Sequence, residues 1–170
     1  MSQAVPPGYH VPEGVIHYDV PRMSEDLKAK LYKASDVLLI PCYGETAACF
    51  TEAYAFGVPV VTTRIHHGDE FVRDGITGFL LDAPIYPYQE GYGRRWETSE
   101  EFMADLDAMR ERGELDKVVA DVVDRLEVMI SGETDVAAMR REARRFHAER
   151  FSPEVRNHKL LQIYQAALQL

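Results

Sequence analysis

Cysteine is scarce: the 170 residues hold only Cys42 and Cys49. Their spacing fits no metal motif, and no second Cys or His pair lies nearby to complete a zinc site, so no metal is expected. Two free thiols in an acidic chain point to a reducing compartment, read here as the cytoplasm. An excess of positive charge is lacking too, with 19 Lys and Arg against 28 Asp and Glu and a net charge of −9. Phosphate backbones are held by clustered Lys and Arg, so no nucleic-acid partner is expected. The one basic cluster, Arg140, Arg141, Arg144, Arg145 and Arg150, is interleaved with Glu142 and Glu149. That pattern reads as a solvated helix face laced with ion pairs. No apolar run approaches the ~20 residues needed to span a membrane. The first residues show neither a basic nor an apolar signal-peptide region. What remains is 46% apolar and 28% charged, the balance of one folded domain with one sizeable core.

Three prolines and two glycines make residues 1–14 an extended or loop segment. Val15–Tyr18 reads as a short strand. Ser24 is an expected N-cap for a helix over 25–34, with Glu25 and Asp26 at its positive end. The apolar run Val37-Leu38-Leu39-Ile40 reads as a strand buried on both faces, the habit of parallel sheets. Residues 47–56 form a short helix that Gly57 terminates, and strands follow at Val58–Thr63 and Thr77–Leu81. This alternation predicts an α/β core over 15–82, a partial Rossmann-like parallel sheet of three to four strands with covering helices. Residues 83–97 read as an irregular loop, and 98–170 as helices. Thr98 with Glu101 makes a capping box, Leu115, Val118, Val119, Val122 and Leu126 a stripe on a second helix, and Thr134 a cap for a third. Ser152-Pro153 opens the last helix, expected to pack through Leu161, Tyr164 and Leu168.

The segment from Pro41 to Phe79 holds the chemistry-bearing residues. A strand ends at Pro41 and the chain turns through Tyr43-Gly44-Glu45-Thr46 into a helix N-terminus, which in a parallel sheet lies at the carboxyl edge where ligands bind. Backbone N–H groups there, with the positive end of the macrodipole, favour a diphosphate. Gly44 lets backbone approach a ligand closely, and Thr46 can cap the helix. Glu45 and Glu52 are seven residues apart, about two helical turns. Carboxylates suit sugars because each accepts hydroxyl hydrogen bonds strengthened by its charge.

Pro41, Glu52-Ala53, Ala55-x-Gly57-x-Pro59-Val60-Val61, Glu70 and Asp74-Gly75-Ile76-Thr77-Gly78 together resemble the C-terminal domain of retaining group 1 glycosyltransferases (glycosyltransferase family 4, GT-B fold). The resemblance implies a hexose transferred from a nucleoside-diphosphate sugar to a saccharide, lipid or small-molecule acceptor, without a metal or other cofactor. It puts ribose binding on Glu52 and places the loop amides around Thr46, Ala47 and Ala48 against phosphates or sugar. In the family a first glutamate contacts the donor sugar. Strict register places Gly44 there. Either the loop is one residue shorter and Glu45 fills this catalytic place, or the contact is absent; Glu45 is the candidate carried forward.

His66-His67 stand where the family has two glycines, as pocket lining or as a solvated loop, and Gly68 follows to restore backbone freedom. Glu70 sits near the family's pocket. Gly75 and Gly78 read as turn glycines. The family's acceptor domain and its phosphate-gripping basic pair have no counterpart here. The chain is therefore expected to be an incomplete donor-binding domain, inactive alone and needing the N-terminal GT-B domain or a partner chain. Two other readings stand beside this one. One is a GT-B-like sugar-nucleotide epimerase using His66, His67 and Asp69. The other is a truncated, non-catalytic nucleotide- or partner-binding fragment.

Overall fold

The structure, a computed structural model, describes residues 10–16, 23–41, 47–65, 68–83 and 98–168. The chain divides into two compact units, Met1–Ala34 and Ser35–Leu170. In the first, Val15 N–H donates to the Pro12 carbonyl at 3.1 Å around Gly14, whose φ is 84°. Val15 and Ile16 thus leave a turn and are not in a strand, contrary to expectation. Helix α1 (Glu25–Ala34) starts where Ser24 accepts the Leu27 N–H at 3.2 Å.

The second unit holds a parallel sheet in the order β1 (Leu38–Ile40), β2 (Val60–Thr63), β3 (Gly78–Leu81). Its register pairs Leu38 with Val60 and Val61 with Phe79. The expected strand buried on both faces exists, but it is β2. All four β2 residues are buried, whereas among the described residues β1 is an edge strand, with Leu39 39% exposed. A central parallel strand is covered on both faces, and an edge strand need not be. Val61, Phe79 and Leu81 share one face and pack on Met139, with Val122, Val128 and Met129 against them.

Helix α2 (Ala47–Ala55) ends in a Schellman motif: Val58 N–H donates to the Ala53 carbonyl and Gly57 N–H to that of Tyr54. Gly57 takes φ 70°, so the expected terminator is in place. After β2 comes the single turn α3 (Gly68–Phe71). Gly75, at φ 72°, is a turn glycine, but Gly78 is not. Gly78 lies in β3, and a Cβ there would sit 1.9 Å from the Val60 carbonyl oxygen, so its role is close approach of two strands.

Among the described residues four helices follow: α4 (Ser99–Glu111), α5 (Asp116–Ile130), α6 (Val136–Arg150) and α7 (Pro153–Ala167). Thr98 and Glu101 form both halves of the expected capping box. Three expectations in this region fail. Asp135, not Thr134, caps α6 by accepting the Ala138 N–H at 2.8 Å. Val119 is 62% exposed, because α5 turns Val122 and Met129 to the sheet instead. Leu161, Tyr164 and Leu168 do not pack, and none of the α7 residues is buried. The arginine-rich α6 is only partly a solvated face. Arg145 pairs with Glu142 and Glu149, but Arg140 and Arg144 donate to the carbonyls of Ser35 and Phe56, tying α6 to the sheet edge and to α2.

Candidate functional site

Parallel pairing sends the carboxyl ends of β1, β2 and β3 to one edge, and α2 and α3 each leave from it. Residues 42–46 and 66–67 lie outside the described residues, so Gly44, Glu45, Thr46, His66 and His67 have no described placement. Ala47 opens α2 and Ala48 is exposed on its first turn. Glu52 is half-buried, about 7.5 Å along the helix axis from that opening. It precedes Ala53 and Tyr54, both fully buried, so it lies at the border of the buried side of α2.

Gly68 and Glu70 fall on α3, the first buried and the second exposed. Gly68 supplies room and not flexibility: a Cβ there would meet the Thr63 carbonyl oxygen at 3.1 Å. Its N–H donates to the Ile65 carbonyl at 2.9 Å, and its own carbonyl receives the Val72 N–H at 2.8 Å. Phe50 of α2 meets Phe71 of α3 edge to face, with ring centroids 6.2 Å apart. Phe71 in turn stacks on Phe151 at 5.3 Å. The structure thus brings the Glu52 helix and the Glu70 turn together in one aromatic-packed corner.

Two features of this edge escaped the sequence reading. Arg64, the residue after β2, reaches Asp69 at 2.6 Å, Asp74 at 3.3 Å and Asp82 at 3.9 Å. Asp74 also accepts the Leu80 N–H at 3.0 Å. Surface ion pairs add little stability singly. Here one planar guanidinium fixes the chain on both sides of the turn, because its fork serves several carboxylates at once. Nothing in sequence spacing shows that aspartates 5 and 10 residues downstream fold back on it.

The second feature is buried. The Tyr54 hydroxyl pairs with the Thr77 hydroxyl at 3.0 Å, and Thr77 accepts the Arg73 N–H at 2.9 Å. Burial pushes the Tyr54 phenol far above its ordinary value, so it stays neutral. Thr77 belongs to the Asp74–Gly78 segment, and the pair locks that turn to α2. Among the described residues, no group of three His, Cys, Asp or Glu could hold a metal ion. No helix there is long and apolar enough to cross a membrane.

This strand–helix–strand edge can be compared with known proteins. Residues 11–85 match the family model of glycosyl transferases group 1. The group 1 match covers a little under half of the chain, and it contains β1, α2, β2, α3, β3 and Arg64. A D-inositol 3-phosphate glycosyltransferase of Mycobacterium sp. (strain KMS) is 40% identical over 64 residues, which is 37% of this chain and 14% of that protein. The protein of the same name from Corynebacterium kroppenstedtii is 38% identical over 70 residues, 41% of this chain and 15% of that one. One from Rhodococcus opacus is 35% identical over 65 residues, 38% of this chain and 15% of its own length. The chain therefore matches about one seventh of the length of these relatives. No solved structure gives a significant match. The group 1 segment and its relatives' names support a role in glycosyl transfer, and the three-stranded parallel sheet with flanking helices is consistent with an α/β GT-B C-terminal domain.

Proposed function

We propose that this chain supplies the donor-binding part of a retaining hexosyltransferase that uses a nucleoside-diphosphate sugar. The observation that carries the reading is Glu52, half-buried on the first helix after β1, a helix that packs on the α3 turn through Phe50 and lies inside the segment that matches the group 1 family. A carboxylate held there accepts the two ribose hydroxyls as a charged acceptor. The amides at the start of α2 face the diphosphate, and Glu45 serves the transferred sugar. In the reaction the bond from the anomeric carbon to the diphosphate oxygen breaks, a bond to the acceptor oxygen forms, and the acceptor's proton passes to the departing diphosphate.

Such chemistry needs little from a protein nucleophile. It depends on positioning and on stabilising the departing diphosphate. We place acceptor binding and the main phosphate cations on a further GT-B domain or a partner chain, with the reaction in the cytoplasm. The relatives' printed names include D-inositol 3-phosphate; what we carry to this chain is the donor side alone. Saturation-transfer NMR of the folded chain with UDP- and GDP-sugars tests the reading. Transfer to ribose protons is expected, and silence with every nucleotide sugar would remove it.

A further inference from the structure

Arg64 stands where the central strand β2 ends, on the carboxyl edge of the sheet. Its backbone N–H donates to the Leu81 carbonyl at 2.7 Å, so β3 fixes its main chain. One arm of its fork donates to Asp74 at 3.3 Å, and Asp74 is itself held by the Leu80 N–H at 3.0 Å. The other arm reaches Asp69 at 2.6 Å. A planar guanidinium can span two carboxylates at a set separation, which the point charge of a lysine cannot. The sheet therefore anchors one side of Arg64, and the second arm holds α3.

α3 needs such a hold. It is a single turn of four residues, closed by the bond from Val72 N–H to the Gly68 carbonyl at 2.8 Å. One turn fixes several dihedrals for one hydrogen bond and does not stand by itself. At its far end Phe71 meets Phe50 of α2 and stacks on Phe151. Near its start Asp69 takes the Arg64 arm. An apolar tie toward α2 and a charged tie toward β2 thus seat the turn between them. We propose that Arg64 is a positioning residue for the donor: by holding Asp69 it sets where α3 stands at the sheet edge, and so how tightly a nucleotide sugar binds. The inference rests on the donor-binding reading. With its fork taken up by Asp69, Asp74 and Asp82, Arg64 acts through α3 and not as a phosphate cation.

Calorimetric titration of the whole chain with UDP- and GDP-sugars, beside amide hydrogen exchange without ligand, tests it. Arg64→Gln and Asp69→Asn should each weaken donor binding roughly three- to tenfold, the scale of one or two exposed ion pairs. The double variant should be no weaker than Arg64→Gln, because both changes cut the same tie. Arg64→Lys keeps the charge but not the fork, and should fall between the wild type and Arg64→Gln. Exchange should quicken at Gly68 and Val72 and stay unchanged in β2. A merely stabilising Arg64 would shift the unfolding midpoint and leave affinity as it is. Should Arg64→Gln unfold by circular dichroism, Asp69→Asn and Arg64→Lys carry the comparison. Tighter binding in Asp69→Asn would mean that Arg64 grips the donor itself, and overturns the proposal. So do variants that bind like the wild type, losses that add in the double variant, or weaker binding without faster exchange. A wild type that binds no nucleotide sugar removes the donor-binding reading, and this inference with it.

Discussion

Replacing Gly78 by alanine probes the join that holds the candidate site together. The added Cβ would lie 1.9 Å from the Val60 carbonyl oxygen and 2.8 Å from the Val60 carbonyl carbon and nitrogen. Carbon and oxygen in contact normally sit about 3.3 Å apart, so β2 and β3 must separate by more than 1 Å, roughly. Every atom in the way is backbone, and no side chain can swing aside to relieve it. The separation weakens the Val60↔Gly78 end of the ladder, including the 3.3 Å bond from Val60 N–H to the Thr77 carbonyl. One or two ladder bonds at about 1 kcal/mol each, and overpacking at about 1–3 kcal/mol, outweigh the ~0.5–1 kcal/mol that alanine gains over glycine. The net loss is about 1–4.5 kcal/mol, a sizeable share of the roughly 5–15 kcal/mol that holds a typical domain. Urea unfolding followed by circular dichroism measures it. Gly75→Ala is the control: at φ 72° with no atom within 4 Å of a Cβ, it meets only the backbone penalty of about 1–2 kcal/mol. If Gly78→Ala unfolds within about 0.5 kcal/mol of the wild type, the close-approach argument is refuted.

Three further outcomes follow from the same geometry. Glu52→Gln keeps the shape but loses the charge, and donor affinity should fall by about 1.5–3 kcal/mol, on the order of ten- to a hundredfold, measured by calorimetric titration; unchanged affinity would take Glu52 out of the site. The Tyr54 phenol titrates above its ordinary value of 10.0 in the folded chain, so its contribution is complete below that value. As pH rises past it the unfolded chain loses the proton first, and stability should fall by up to about 1.4 kcal/mol per pH unit. Tyr54→Phe should flatten that alkaline slope while losing the 3.0 Å hydroxyl pair with Thr77 at neutral pH. Finally, Asp135→Ala should cost about 1 kcal/mol by removing the α6 cap, whereas Thr134→Ala should stay within about 0.5 kcal/mol; thermal unfolding separates the two.

The features legible in the sequence are those whose physics is local. Ser24, Thr98 with Glu101, and Ser152-Pro153 each satisfy helix-start amides within three residues, so spacing alone announces them. Gly57 is legible for the same reason, as the left-handed end of a helix. Features set by distant chain were not. Val37–Ile40 and Val58–Thr63 look alike as apolar runs, and only the strand order shows that β2 is central and β1 an edge. Apolar spacing on α7 predicts an amphipathic helix, but spacing cannot say whether anything covers the row. Gly78 reads as a turn glycine until the Val60 carbonyl is seen against it. Within the candidate site, Glu52 was read from the motif and Gly68 only as the residue after the histidine pair, whereas Arg64 and the Tyr54–Thr77 pair depend on contacts made by folding. Gly44, Glu45, Thr46, His66 and His67 rest on the sequence alone.

The central claim is that nucleotide sugar binds beside Glu52. An amide-resolved NMR titration of the isotopically labelled chain with UDP- and GDP-sugars tests it most directly. Saturable shifts concentrated in Ala47–Glu52 and Gly68–Phe71 are expected, much reduced in Glu52→Gln. Shifts that gather elsewhere, or that persist unchanged in the variant, would contradict it.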